Sequence, residues 1–227
     1  MASVLLTGAA GAIGMDLAFS LNQAKINVFA TEADQDNFFL VNKSCKYYNK
    51  VFQAPRAGSE EYINRINEII TEENIDIVIP NPDFEVGFIS KIREQIKSPL
   101  FLPSHETVEI LLSKSLTAQK IGDLAPKTFE VSNEADLRLA ISSEKVVWLR
   151  PKTGAGGKGS LIVSDSKFGW MWIEYWKTRG FSSSWIAQEY LDGGNYNVTL
   201  IYDRNSNLCG MGMLERLGYI HEAISPT

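Results

Sequence analysis

The strongest constraint on the fold is the way apolar runs and helical periodicities alternate through the first half of the chain. Val4 to Thr7 is a short apolar run that breaks into glycines, after which Ile13, Leu17 and Leu21 recur at helical spacing. Ile26 to Ala30 is a second strand candidate. Ile63, Ile66, Ile69 and Ile70 mark a helix face, and Ile75 to Ile79 form a strand candidate stopped by Pro80. Phe84, Phe88, Ile92 and Ile96 stand four residues apart on a further helix, ahead of a short strand at Leu100 and Phe101. Strands joined through helices by short connections run parallel, with helices on both sheet faces. The pattern therefore predicts an α/β, Rossmann-like layer structure over residues 1–112.

The texture changes after Ser113. Residues 114–143 read as mainly helical, interrupted by a loop around Pro126. Val146 to Leu149 and Leu161 to Val163 read as strands flanking a glycine-rich loop, Ile173 to Trp176 as helix and Trp185 to Tyr190 as strand. Asn197 to Tyr202 and Leu208 to Leu214 read as a hairpin turning at Asp203 to Asn207. Residues 113–227 are thus expected to form a separate α+β domain. Trp170, Trp172 and Trp176, at near-helical spacing, are expected in core packing. His105 is expected in the first turn of a helix capped by Ser104.

Composition narrows the function classes. Twenty-two basic against 27 acidic residues give a net charge of −5, without the basic footprint of a nucleic-acid binder. No apolar run reaches the ~20 residues of a membrane span, and the first residues lack a basic leader. Cys45, Cys209, His105 and His221 have no metal-ligand spacing. The expectation is a soluble, cytoplasmic protein without nucleic-acid or membrane partners.

Two glycine loops carry candidate chemistry. Thr7-Gly8-Ala9-Ala10-Gly11-Ala12-Ile13-Gly14 lies between a strand and a helix, where amides can approach a phosphate, and Glu32 follows the second strand as a ribose-binding acid would. That pattern suits an NAD(P)-dependent epimerase or reductase, yet no Tyr-x-x-x-Lys pair supplies its usual proton donor; the glycines equally serve tight helix packing. The second loop, Arg150-Pro151-Lys152-Thr153-Gly154-Ala155-Gly156-Gly157-Lys158-Gly159-Ser160, joins two strands and fails the Walker pattern. Four glycines in six residues with Lys152 and Lys158 suit a flap whose amides close over phosphates, or a solvated hairpin.

The order Arg150-Pro151, glycine flap, then Gln188-Glu189-Tyr190-Leu191-Asp192-Gly193-Gly194-Asn195 resembles the ATP-grasp superfamily, in particular enzymes similar to the large chain of carbamoyl-phosphate synthase. The resemblance covers nearly the whole chain and makes residues 1–112 the family's pre-ATP-grasp domain. It implies ATP as the nucleotide and Mg2+ as its metal in the complete fold. Lys114 matches a basic residue reaching the phosphates, and Arg150 the cation before the proline. Lys152, Thr153, Gly154, Gly156, Gly157 and Lys158 fall in the phosphate-covering flap. Gln188, Glu189, Tyr190 and Leu191 match the hinge that bonds adenine through its backbone. Asn195 stands where relatives carry a ribose-gripping Glu. The family activates a small carboxylate as an acyl phosphate for attack by an amine-type nucleophile, and a homo-oligomer is compatible with it. Its metal ligands lie toward its C-terminus, past Ile224-Ser225-Pro226-Thr227. The expectation is an ATP-grasp portion incomplete at that end, with a non-catalytic nucleotide-binding module as the alternative.

Overall fold

A computed structural model of the chain describes residues 1–216; His221 and the Ile224–Thr227 segment lie outside the described residues. Two compact units emerge, Met1–Leu112 and a second opening at Ser113. In the first, β1 (Ser3–Thr7), α1 (Ala12–Gln23), β2 (Asn27–Glu32), α2 (Gln35–Ser44) and β3 (Lys50–Gln53) are followed by α3 (Glu60–Glu72), β4 (Ile77–Ile79), α4 (Asp83–Lys91) and α5 (His105–Leu112). The strands form one parallel sheet in the order β3-β2-β1-β4, with Ser3 opposite Asn27, Val4 opposite Ile77 and Phe29 opposite Lys50.

Alternation along β1 builds a core on each face. Leu5 packs with Tyr62, Ile66 and Ile69 of α3 and Ile89 of α4, whereas Val4 and Leu6 pack with Ala18 of α1, Val28 and Val41. A strand buried on both faces reads as the continuous apolar run seen in the sequence. The helices start where side chains satisfy their open amides: Ser59 Oγ accepts from Tyr62 N, and Asp34 Oδ1 from Asp36 N and Asn37 N. His105 opens α5 as expected, and Ser104 Oγ accepts from Thr107 N at 3.2 Å. The expected strand at Leu100 and Phe101 shrinks to a single bridge between Val78 and Leu100.

The second unit contains α6 (Lys114–Ile121), β5 (Thr128–Val131), α7 (Glu134–Glu144), β6 (Val147–Pro151), β7 (Leu161–Val163), α8 (Ser166–Thr178), β8 (Trp185–Glu189), β9 (Tyr196–Tyr202) and β10 (Leu208–Glu215). Residues 114–143 are mainly helical, as expected, but the break around Pro126 leads into a strand that was not expected, Thr128–Val131, paired antiparallel to β8 from Thr128–Gln188 to Val131–Trp185. The main sheet is antiparallel in the order β5-β8-β6-β7. One face buries Val131, Val147, Leu149, Trp185 and Ala187 against Leu137 and Ala140 of α7 and Ile173 of α8, with Trp170, Trp172 and Trp176 packed at its edge as expected. Gly169 permits this closeness, since a Cβ there would lie 2.6 Å from Leu137 Cδ2. A capping box between Asn133 and Asp136 starts α7. β9 and β10 pair as the predicted hairpin, with Asp203 Oδ1 accepting from Asn205 N and Asn207 N in the turn. No described helix is long and apolar enough to cross a membrane.

Candidate functional site

The second face of the β5-β8-β6-β7 sheet carries the candidate site. Along β6, Val147, Leu149 and Pro151 are buried while Trp148 and Arg150 are only partly so. Strand alternation puts the latter two on the face opposite the helices. Strand register sets Trp148 between Ile162 of β7 and Gln188 of β8, and Arg150 beside Ile186, itself beside Glu130 of β5. The face thus presents one guanidinium amid an indole, two isoleucines and an amide.

Arg150 is the anomaly of this face. Its Nε is buried with no hydrogen-bond partner among the described residues, and its guanidinium carbon lies 4.7 Å from the centre of the Trp148 ring. Burial pushes its pKa down. A guanidinium does not surrender its proton under ordinary conditions, so that desolvation weighs against stability instead. Oxyanions with several acceptors, carboxylates and phosphates alike, suit the planar fork it presents.

The flap follows directly. Gly154, Gly156 and Gly157 have φ of +99°, +69° and +67°. A Cβ on Gly154 or Gly156 would meet nothing within 4 Å, so left-handed backbone, not crowding, demands glycine here. Lys114 Nζ donates to Gly154 O at 2.6 Å and so ties α6 to the flap. Lys152 Nζ is paired with Glu130 Oε1 at 2.9 Å, Thr153 Oγ1 lies 3.3 Å from Ser183 Oγ, and Lys158 Nζ lies over the Trp176 and Phe181 rings.

Gln188 is buried in β8 and its Nε2 donates to Thr128 Oγ1 at 2.8 Å. The Glu189 amide donates to Lys127 O at 2.8 Å, and its carboxylate accepts from Lys127 N at 3.3 Å. The end of β8 is therefore braced by Thr128 of β5 and by Lys127 just before it, and Tyr190 and Leu191 follow, exposed. Beside it opens a cleft of about 570 Å³ lined by Ser115, Gln119, Thr128, Glu130, Lys152 and Glu189. Asn195 sits at the foot of the other sheet, its carbonyl accepting from Arg216 N at 2.7 Å. Arg150, Gln188 and the flap share the main sheet; Asn195 does not belong to it.

Trp148 was missed in the sequence, although its parity with Arg150 on β6 was the available signal. In the first glycine loop, by contrast, the amides of Ala9, Ala10 and Gly11 are bonded within the unit. Glu32 Oε2 accepts from Ala10 N at 3.0 Å, and Oε1 from Ala33 N and Asp34 N. The Tyr48 hydroxyl, its pKa pushed up mainly by burial, donates to Ala9 O at 2.8 Å. Gly8, at φ +69°, abuts the Pro82 ring, and a Cβ on Gly14 would lie 2.7 Å from Gly8 O. Glu32, expected as a ribose acid under the dehydrogenase reading, instead spends both oxygens on backbone amides. Among the described residues no three His, Cys, Asp or Glu side chains cluster to hold a metal ion.

The chain has the fold of ATP-grasp enzymes. Among solved structures, the chain is similar to N5-carboxyaminoimidazole ribonucleotide synthetase from Thermotoga maritima (TM-score 0.64, 13% identity), over 96% of this chain and 54% of that one. It is similar to a biotin carboxylase–β,γ-ATP complex from Campylobacter jejuni (TM-score 0.66, 19% identity), over 98% and 52%. D-alanyl-alanine synthetase A from Vibrio cholerae matches at TM-score 0.62 and 13% identity, over 100% and 72%. The chain spans about half the length of the first two. At these identities the likeness is one of fold. No protein-family model matches the chain, and neither does any curated protein.

Proposed function

We propose that the second unit binds ATP at the Arg150 face of its main sheet, as the nucleotide-binding portion of an ATP-grasp ligase-like enzyme. The observation that carries this reading is Arg150: a partly buried cation whose buried Nε has no partner among the described residues, set at the root of a glycine flap. The adenine ring lies on Trp148, near the hinge from Gln188 to Leu191. Arg150 takes phosphate oxygens, and the amides of Gly154, Gly156 and Gly157 close over them. Lys152 exchanges Glu130 for phosphate, while Lys114 holds the flap through Gly154. The fold's likeness to a biotin carboxylase solved with β,γ-ATP supports this assignment.

Bound ATP supplies a phosphoryl group that activates a small carboxylate for attack by an amine-type nucleophile. The chain's own contribution is to orient the nucleotide and to place cationic and amide donors where charge develops on the transferring group. Among the described residues no three acidic, His or Cys side chains cluster to hold a magnesium ion. Within the superfamily, Arg150-Pro151 and the run from Gln188 to Leu191 favour kinship with the carbamoyl-phosphate synthase large chain. Isothermal titration with ATP, ADP, NAD and NADP tests the reading. ATP and ADP should bind, with affinity lost in Arg150→Ala and kept in Gly11→Val. Preferential NAD binding that Gly11→Val abolishes would transfer the site to the first glycine loop.

A further inference from the structure

The carboxyl stem of the flap rests on an aromatic cluster that the nucleotide site does not use. Trp172 Nε1 donates to Gly159 O at 2.8 Å, and Gly159, at φ +77°, is wedged so that a Cβ would lie 3.2 Å from Trp185 Cη2 and 3.3 Å from Pro151 Cγ. One residue earlier, Lys158 Nζ lies 5.9 Å from the Trp176 ring centre and 5.7 Å from that of Phe181. These two rings meet edge to face at 5.6 Å, and Phe181 continues the chain of rings to Trp185. Gly159 is thus a fixed pivot, and the ammonium beside it occupies a cradle of two ring faces.

We infer that this cradle is a latch: Trp176 and Phe181 are positioning residues that park Lys158, and flap closure over a nucleotide moves its ammonium from the rings to phosphate oxygens. The inference rests on the nucleotide reading above for its second state, but the parked state stands on the structure alone. A cation over ring faces at nearly 6 Å is held weakly, whereas a phosphate oxygen makes a charge-assisted hydrogen bond of about twice ordinary strength. The latch therefore holds the flap back when no anion is present and yields when one is. A latched protein binds nucleotide less tightly than its site allows, because only the released fraction is competent.

That gives an unusual sign. Removing half the cradle with Phe181→Leu should tighten ADP binding about two- to fivefold by titration calorimetry. Lys158→Gln should weaken it, and the double variant should show no gain over Lys158→Gln alone. Trypsin offers a readout that needs no nucleotide: cleavage after Lys158 should speed up several-fold in Phe181→Leu relative to cleavage after Lys167. Should Phe181→Leu misfold, tryptophan emission of the unmodified chain serves instead, since pyrophosphate, which has no base to stack on Trp148, should shift it toward that of Lys158→Gln. Failure of the unmodified chain to bind ADP or ATP would overturn the nucleotide reading and the latch's closing step with it. ADP binding that a folded Phe181→Leu leaves unchanged or weakens, or unaltered cleavage after Lys158, would overturn the latch alone.

Discussion

Replacing Arg150 by Met should push stability and nucleotide affinity in opposite directions. In the unliganded protein, the buried Nε lacks a partner, and an unsatisfied buried donor costs about 1–3 kcal/mol. Contact of the guanidinium with the Trp148 ring offsets about 0.5–2 kcal/mol of this. Met keeps an unbranched apolar stem in the same space and asks for no hydrogen bond. The balance is a gain of about 1 kcal/mol, a rise of roughly 2–4 °C in the thermal midpoint for a chain of this size. The same change removes the charge-assisted bonds to phosphate, worth about 1.5–3 kcal/mol, and so weakens ADP roughly ten- to a hundredfold. Scanning calorimetry on both proteins, with and without saturating ADP, reads both effects. Arg150→Met should melt higher than the unmodified chain without ADP and gain less from its addition. A variant that melts lower and keeps full ADP affinity would show that Arg150 is a packing residue and refute the reasoning.

Three further outcomes separate the elements of the fold. Gly8→Ala forces a side chain into left-handed backbone against Pro82; about 1–2 kcal/mol of backbone cost and about 1–3 kcal/mol of overpacking should lower stability in urea without changing ADP affinity. Glu85 hydrogen-bonds the Tyr62 hydroxyl, and burial, reinforced by Glu32, holds its carboxyl pKa above the ordinary value despite bonds from Tyr62 and Thr7. A raised acid pKa means that the fold favours the protonated form, so its contribution is complete below the unfolded value of about 4.3 and is lost as pH rises through the folded value. Urea titrations from pH 4 to 8 should show this decline, and Glu85→Gln should flatten it. Asn133→Ala breaks the capping box of α7 and should cost about 1 kcal/mol by the same measurement, an unchanged midpoint being the contrary result.

The first unit was legible because β1 and α3 carry dense, periodic apolar positions, and burial on both faces leaves that signature in the residues themselves. β3 was not: Lys50-Val51-Phe52-Gln53 offers two apolar residues, and the strand exists because β2 supplies its ladder. β5 failed for the same reason, since its partner β8 lies more than fifty residues on. At the candidate site, the cation before Pro151 and a glycine loop joining two strands could be read from residue order. What each side chain touches could not. The pairings of Lys152 with Glu130, Lys114 with Gly154 and Glu32 with Ala10 are tertiary facts, set by strand register and loop path. Trp148 lies between these cases, readable from strand parity once Arg150 was taken seriously.

The strand order of the second unit also dictates when that unit can come into being. In the first unit β1, β2 and β3 are laid down as they are made, each new strand joining the edge of the last. In the second, β8 is threaded between β5 and β6, and it is the last of the four strands to be synthesised. Until Trp185–Glu189 arrives, β5 has no ladder partner in this sheet and β6 has only β7. The β6–β7 hairpin can form early, since its loop is short, but β5 must wait for a closure spanning most of the unit. Translation therefore leaves an interval in which an unfinished sheet exposes two strand-accepting edges, and a single five-residue insertion ends it.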